Sequence, residues 1–118
     1  MRILIVDDSD IIRRVVTRIL AAENRWAVCG EAKNGAEALQ KAVELQPDLI
    51  LLDISMPDIN GLEVARRLKV HAPRVKILVI SQNDSDAMLP CVVQAGANGC
   101  VDKNRLGMDL LPAIARLE

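Results

Sequence analysis

The sequence predicts an α/β fold in which helices cover both faces of a five-stranded, doubly wound parallel sheet. Short apolar runs alternate with longer stretches whose apolar positions recur every three or four residues, as in amphipathic helices. This alternation continues along the whole chain without a linker or a low-complexity stretch. Parallel neighbours need a crossover connection, usually a helix, so such alternation favours a parallel sheet between two helical layers.

The first two predicted strands lie at residues 2–6 and 26–32. The helices that follow them span residues 9–22 and 34–46, and Pro47 ends the second helix. The apolar positions that we expect to face the sheet are Ile12, Val15, Val16, Ile19 and Leu20 in the first helix, and Ala38, Leu39, Ala42 and Leu45 in the second.

The third predicted strand, residues 49–52, consists of four aliphatic residues and should be buried on both faces, yet it is followed by Asp53. The remaining predicted strands are residues 75–80 and 98–102, and the third and fifth helices are residues 62–70 and 106–117.

Pro90 bears on where the fourth helix begins. Proline is tolerated in the first turn of a helix but costs about 3 kcal/mol in its interior. We therefore expect the fourth helix to begin near Met88 or Leu89 and to end at Gly96, which leaves residues 82–87 as a polar loop.

Length and composition indicate one domain over residues 1–118. Apolar residues make up 51% of the chain but Trp26 is the only aromatic, so the core should be aliphatic.

A net charge of −1 predicts no general attraction to nucleic acid or to an anionic membrane. No apolar run reaches the ~20 residues of a membrane span, and Met1-Arg2 leads directly into a strand rather than a signal peptide. We expect a cytoplasmic protein whose cysteines, Cys29, Cys91 and Cys100, are reduced core thiols.

Polar residues follow four of the five predicted strands at their carboxyl ends, where doubly wound sheets bind ligands. Singly, most have ordinary explanations. Asp8 or Ser9 can cap the first helix, Ser81 can hydrogen-bond its own turn, and a lysine is usually solvated. Asp53 has no helix directly after it to cap. The set comprises Asp7, Asp8, Asp53, Ser81, Asp102 and Lys103.

Together these residues predict a site for a metal ion and a phosphoryl group. Three carboxylates at one edge repel each other unless a hard cation offsets their charge, and Mg²⁺ prefers oxygen ligands from carboxylates, water and phosphate. A lysine and a hydroxyl beside the metal would neutralise phosphoryl oxygens. A carboxylate can itself accept a phosphoryl group, which would explain why the buried third strand ends on Asp53.

Four features in order, "LIVDDSD", "LLDISMPDINGLE", Ser81 and "AGANGCVDK", resemble the receiver domain of two-component response regulators over essentially the whole chain. The resemblance implies a flavodoxin-like fold with strand order 2-1-3-4-5. It also implies that a sensor histidine kinase donates a phosphoryl group to the domain, which then switches an output face. Such a domain catalyses only its own phosphorylation and dephosphorylation and is not an enzyme for an external substrate.

The resemblance assigns a role to each residue of the acidic edge. Asp53 matches the phosphoacceptor, and Asp8 matches a direct Mg²⁺ ligand. Asp7 matches a ligand that acts largely through water. Ser55, two residues after the acceptor, matches the position whose backbone carbonyl binds the metal.

Ser81 matches the hydroxyl that moves to the phosphoryl group, and Lys103 the lysine that pairs with it. Three neighbouring positions depart from the pattern of the family. Cys100 stands where receivers usually carry Tyr or Phe, and the chain has neither residue. Gln82 follows the hydroxyl where a small residue is usual, and Asn104 replaces a common proline.

Within the family, the chain looks most like the receivers of LuxR-type transcription factors, which resemble those of NarL and FixJ. This likeness implies transcription regulation through a DNA-binding domain, with a homodimer as a further option and no membrane partner. The sequence ends at Glu118 without a helix-turn-helix segment, so we expect either a receiver that stands alone or part of a longer protein.

Two alternatives stay open from the sequence. A pseudo-receiver would keep the fold and bind partners without phosphorylation, as the changes at Cys100, Gln82 and Pro90 would suggest. A small enzyme or flavin carrier of the same fold is less well supported, because the chain has neither a GxxxxGK nor a GxGxxG motif.

Overall fold

A computed structural model describes residues 1–56, 58–82 and 85–118. Its sheet has five strands in the order β2-β1-β3-β4-β5, and all neighbouring strands are parallel. Both the predicted fold class and the predicted strand order are confirmed. The strands are β1 (Arg2–Val6), β2 (Ala27–Ala32), β3 (Leu49–Asp53), β4 (Lys76–Ser81) and β5 (Gly99–Asp102).

Each strand is followed by a helix, as the alternation predicts. A short 3₁₀ turn (Lys103–Arg105) separates β5 from the last helix. The helices are α1 (Asp10–Leu20), α2 (Gly35–Leu45), α3 (Gly61–His71), α4 (Ser85–Gln94) and α5 (Leu106–Ala115). Among the described residues, no helix combines the length and the apolar character that crossing a membrane would require.

Polar side chains fix where the first two helices begin. The Ser9 hydroxyl accepts a hydrogen bond from the Ile12 N–H at 3.2 Å, and the Asn34 side chain accepts one from the Glu37 N–H at 2.8 Å. Ser9, rather than Asp8, therefore provides the cap of α1, which leaves the Asp8 carboxylate for another role.

The side chains of the central strands point alternately into two aliphatic layers. One layer packs against α2, α3 and α4, and the other against α1 and α5. Residues Leu49 to Leu52 of β3 are all fully buried, as their apolar run predicts. The strand that ends on Asp53 is thus enclosed on both faces and flanked by β1 and β4.

The prediction for the start of α4 is wrong. The helix begins at Ser85, before Met88, so Pro90 lies within it and positions 85–87 are not loop. Positions 83 and 84 of the predicted loop lie outside the described residues. Pro90 is the sixth residue of the helix, so the one backbone hydrogen bond that it removes lies close to the start, and Val92 and Ala95 farther along are buried in the core.

Two predicted core positions are also wrong. Val15 is 41% exposed, because the buried stripe of α1 is centred on Val16 and Leu20. Cys91 is exposed on α4 beside the buried Val92, whereas Cys29 and Cys100 are half-buried against the core. All three cysteines are free thiols, as expected.

Candidate functional site

Strand register brings the predicted acidic residues together. Val6 of β1 pairs with Leu52 of β3, so the next residues, Asp7 and Asp53, emerge side by side. Carboxylate oxygens of Asp7, Asp8 and Asp53 lie within 4.8 Å of one another. The three carboxylates form a cluster with the spacing and the oxygen donors of a divalent cation site.

The two inner carboxylates of this cluster are buried and oriented by the backbone. Asp53 is 0% exposed and Asp7 is 1% exposed, whereas Asp8 faces solvent. Asp7 Oδ1 accepts a hydrogen bond from the Ser9 N–H at 2.9 Å, and Asp53 Oδ1 accepts one from the Ser55 N–H at 3.0 Å. Each side chain is thereby held by the loop that follows its own strand.

Lys103 approaches the other oxygen of each buried carboxylate. Its Nζ lies 3.1 Å from Asp7 Oδ2 and 3.3 Å from Asp53 Oδ2. These are ion pairs by distance, but within the described part of the chain both oxygens are buried without a hydrogen bond of good geometry. Two buried oxygens that are incompletely satisfied, next to the exposed Asp8, fit a site that takes a further cation.

The charges of the site are unbalanced without such a cation. Burial raises the pKa of Asp7, and the charge of Asp53 adds to this, against the Ser9 N–H and Lys103, which lower it. Burial alone would lower the pKa of Lys103, but its contacts with Asp7 and Asp53 outweigh this and raise it. Lys103 therefore stays protonated, and one ammonium faces three carboxylates.

The loop after β3 is held at two points. The Gly61 N–H donates to the Ile54 carbonyl at 3.3 Å, and a Cβ on Gly61 would lie 2.3 Å from the Ile54 Cα, so only glycine allows this approach. The Asp58 carboxylate accepts hydrogen bonds from the Gly35 and Ala36 N–H groups at 3.0 and 3.2 Å, which ties the loop to the start of α2.

The remaining predicted residues lie at the same edge of the sheet. Ser81 ends β4, is fully buried and pairs in register with Asp102, the last residue of β5. Ser55 and Gln82 are exposed. Cys100 lies on β5 opposite Val79, half-buried against the aliphatic layer, so the position of the usual aromatic ring holds a small side chain inside the domain.

Cys100 is expected to react far more slowly with alkylating reagents than Cys91. Burial, with a contribution from the charge of Asp102, raises the pKa of Cys100 to about 11, so about one molecule in a thousand carries the thiolate at pH 8. Timed iodoacetamide labelling with peptide mapping should modify Cys91 first, and each unit of pH should accelerate Cys100 about tenfold until its pKa is reached. Equal labelling rates for Cys91 and Cys100 in the folded protein at pH 8 would contradict this prediction. As a control, the two cysteines should be labelled at equal rates in protein unfolded with urea.

The sequence did not predict two features of the site. One is the contact of Lys103 with Asp7 as well as with Asp53. The other is Arg13, whose guanidinium donates to the Asp7 carbonyl at 2.6 Å. The sequence did contain a signal for this contact, because an arginine in the first turn of a helix that begins within "DDSD" lies among acidic groups.

The fold and the acidic edge together define a flavodoxin-like α/β domain of the receiver class. The chain belongs to the response regulator receiver family, since the family described as "Response regulator receiver domain" matches residues 3–115.

Individual relatives agree with this assignment. The chain is 39% identical over 114 residues to response regulator GacA of Pseudomonas viridiflava, covering 97% of this chain and 53% of that protein. It is 36% identical over 114 residues to transcriptional regulatory protein DegU of Brevibacillus brevis, covering 97% of this chain and 48% of that protein. The chain therefore spans about half the length of these curated relatives.

A solved structure is similar over nearly the whole chain. It is a two-component response regulator of the LuxR family from Aurantimonas sp. SI85-9A1, with a TM-score of 0.92 and 29% identity. The match covers 98% of this chain and 83% of that one.

Proposed function

We propose that this chain is a phospho-accepting receiver in which Asp53 takes a phosphoryl group from the phosphohistidine of a sensor histidine kinase. The observation that carries this proposal is the burial and orientation of the Asp53 carboxylate. It is fully buried at a strand end, one oxygen is held by the Ser55 N–H, and the other faces the Lys103 ammonium. A carboxylate so oriented, beside an acidic cluster that could hold a metal, is suited to accept a phosphoryl group.

In the transfer, a carboxylate oxygen of Asp53 attacks phosphorus, the bond between phosphorus and the histidine nitrogen breaks, and that nitrogen keeps the electron pair. Lys103 is already 3.3 Å from Asp53 Oδ2, so it can pair with a phosphoryl oxygen without a large movement. Ser81, buried at the end of β4, supplies a hydroxyl donor to another phosphoryl oxygen.

The metal ligands in this proposal are Asp7, Asp8, the Asp53 carboxylate and the Ser55 carbonyl. The hard oxygen donors of the cluster fit Mg²⁺. When bound, Mg²⁺ supplies positive charge that offsets both the carboxylates and the phosphoryl oxygens. The chain's own contribution is to orient the acceptor oxygen and to provide the Lys103 cation.

The experiment that tests this function is incubation of the protein with acetyl phosphate, with and without Mg²⁺, followed by intact-mass measurement. We expect one phosphoryl group per chain with Mg²⁺ and little or none when EDTA is added. A wild-type protein that takes no phosphoryl group, under conditions that label another receiver, would overturn the proposal.

That negative result would favour a pseudo-receiver, which binds partners through the same fold without phosphorylation. The half-buried Cys100 favours this second candidate, because the ring that usually couples phosphorylation to the output face is replaced by a thiol. The complete set Asp7, Asp8, Asp53 and Lys103 at one edge favours phosphorylation, since a pure interaction module has no need to bury two carboxylates beside a lysine.

The wider setting follows from the same proposal. Residues 1–118 act as one receiver domain in the cytoplasm, turn over no external substrate and regulate transcription through a DNA-binding domain elsewhere in the protein. The name of the DegU relative, a transcriptional regulatory protein, supports transcription as the output. In this proposal, the phosphorylated chain can act on transcription as a homodimer.

Mg²⁺ is expected to stabilise the folded protein, because the native acidic cluster exists only when the chain is folded. At free Mg²⁺ near one hundred times its dissociation constant, the free energy of unfolding should rise by about 2.7 kcal/mol. Urea unfolding with Mg²⁺ or EDTA measures this change. Asp8→Asn should remove most of it, whereas Asp109→Asn, at an exposed ion pair on α5, should retain it.

An Asp8→Asn protein that Mg²⁺ stabilises as strongly as the wild type would show that Asp8 is not a ligand. Absence of stabilisation in the wild type would show that the cluster does not bind Mg²⁺ at the concentrations used.

A further inference from the structure

Arg13 lies next to the acidic cluster. Lys103 contacts the carboxylates of Asp7 and Asp53, whereas Arg13 contacts the backbone carbonyl of Asp7. It is the fourth residue of α1, and its side chain is only 14% exposed. Burying an arginine costs free energy unless its donors are used, so the contacts of this guanidinium indicate what it does.

The guanidinium connects three parts of the chain. Nη1 donates to the backbone carbonyl of Asp7 at 2.6 Å, just beyond β1. Nε donates to Glu31 Oε1 at 2.9 Å on β2, and Nη2 contacts Asp10 Oδ1 at the start of α1. Because the guanidinium is planar and rigid, holding it by Glu31 and Asp10 also fixes where its third edge points.

The third nitrogen of the guanidinium, Nη1, faces the peptide group between Asp7 and Asp8. The Asp7 carbonyl and the Asp8 N–H belong to the same plane, so a restraint on the carbonyl also orients the start of Asp8. Asp7 is otherwise well held, through its N–H to the Ala32 carbonyl at 3.0 Å and its Oδ1 to the Ser9 N–H. Asp8 is the exposed member of the cluster and gains most from this restraint.

We infer that Arg13 is a positioning residue that orients Asp8 for binding a divalent cation by fixing the Asp7–Asp8 peptide group. This inference rests on the proposed metal site but not on phosphoryl transfer. Residues that orient metal ligands without touching the metal change affinity when they are replaced, commonly 10- to 100-fold.

A purely structural role is the competing explanation, in which Arg13 only joins α1 to β2 through Glu31. The two explanations differ in what Mg²⁺ affinity does. A structural pair changes the stability of the metal-free protein and leaves the affinity for Mg²⁺ alone. A positioning residue changes the affinity as well.

Arg13→Lys tests the inference, with Arg14→Lys, at an exposed position on the same helix, as the matched control. Lysine keeps the positive charge but cannot hold Glu31, Asp10 and the Asp7 carbonyl together in one plane. Isothermal titration with MgCl₂ should show binding about tenfold weaker in Arg13→Lys and unchanged in Arg14→Lys. Unchanged affinity in Arg13→Lys, even with lowered stability, would overturn the inference.

Glu31→Ala keeps the test decisive if Arg13→Lys does not fold, because it removes one anchor of the guanidinium and leaves Arg13 in place. We expect weaker Mg²⁺ binding in the same direction, and an unchanged affinity would overturn the inference. Intact-mass labelling of the wild type separates the two proposals. A wild type that binds Mg²⁺ but takes no phosphoryl group refutes phosphoryl transfer only, whereas wild-type Mg²⁺ affinity in Arg13→Lys refutes the role of Arg13 only.

Discussion

Asp53→Asn is expected to abolish phosphoryl uptake from acetyl phosphate and to leave the fold intact. An amide is a poor nucleophile at this position, and it has nearly the same shape as the carboxylate. Its oxygen can still accept the hydrogen bond that the Ser55 N–H gives to Asp53 Oδ1 at 3.0 Å. Intact-mass measurement with Mg²⁺ gives the uptake, and thermal unfolding checks the fold.

Asp109→Asn is the matched control for this variant. Asp109 lies on α5, is about two-fifths exposed and pairs with Arg105 at 2.9 Å. Its replacement should leave phosphoryl uptake at the wild-type level. Labelling of Asp53→Asn equal to that of the wild type would place the acceptor elsewhere in the chain.

Leu51→Ala is expected to lower the free energy of unfolding by about 2 to 5 kcal/mol. Leu51 is fully buried in β3, between β1 and β4, and packs in the layer under α1 and α5. Truncation removes buried methyl groups and leaves a cavity that a central strand cannot close. The midpoint of urea unfolding, with the slope checked for two-state behaviour, measures the loss.

Val70→Ala provides the comparison for this stability prediction. Val70 is 76% exposed on α3, so its truncation should change the free energy of unfolding by less than about 0.5 kcal/mol. If Leu51→Ala cost no more than Val70→Ala, β3 could not be the enclosed strand that holds Asp53 in place.

Strand-level features could be predicted from the sequence because they depend on patterns that repeat. Four aliphatic residues before Asp53 predicted a strand buried on both faces, and residues 49–52 are buried as expected. The convergence of Asp7, Asp8 and Asp53 followed from strand ends that share one edge, and the register of β1 with β3 accounts for it.

Features that depend on packing between elements could not be predicted in this way. Pro90 suggested a late start for α4, but the helix begins at Ser85 and accommodates the proline as its sixth residue. The exposed Cys91 lies one residue from the buried Val92, a distinction that a short apolar run does not resolve. The contacts of Arg13 join three elements that are distant in sequence, so the pattern around Asp7 and Asp8 could not assign them.

The central claim is that Asp53 itself carries the phosphoryl group, and locating the modified residue tests this most directly. Wild-type protein would be treated with acetyl phosphate and Mg²⁺ and then reduced with borohydride, which converts an aspartyl phosphate to homoserine. Peptide mapping by tandem mass spectrometry then identifies the residue. We predict homoserine at position 53 only, and none in the sample treated with EDTA. Homoserine at another aspartate, or at none in the sample with Mg²⁺, would contradict the account.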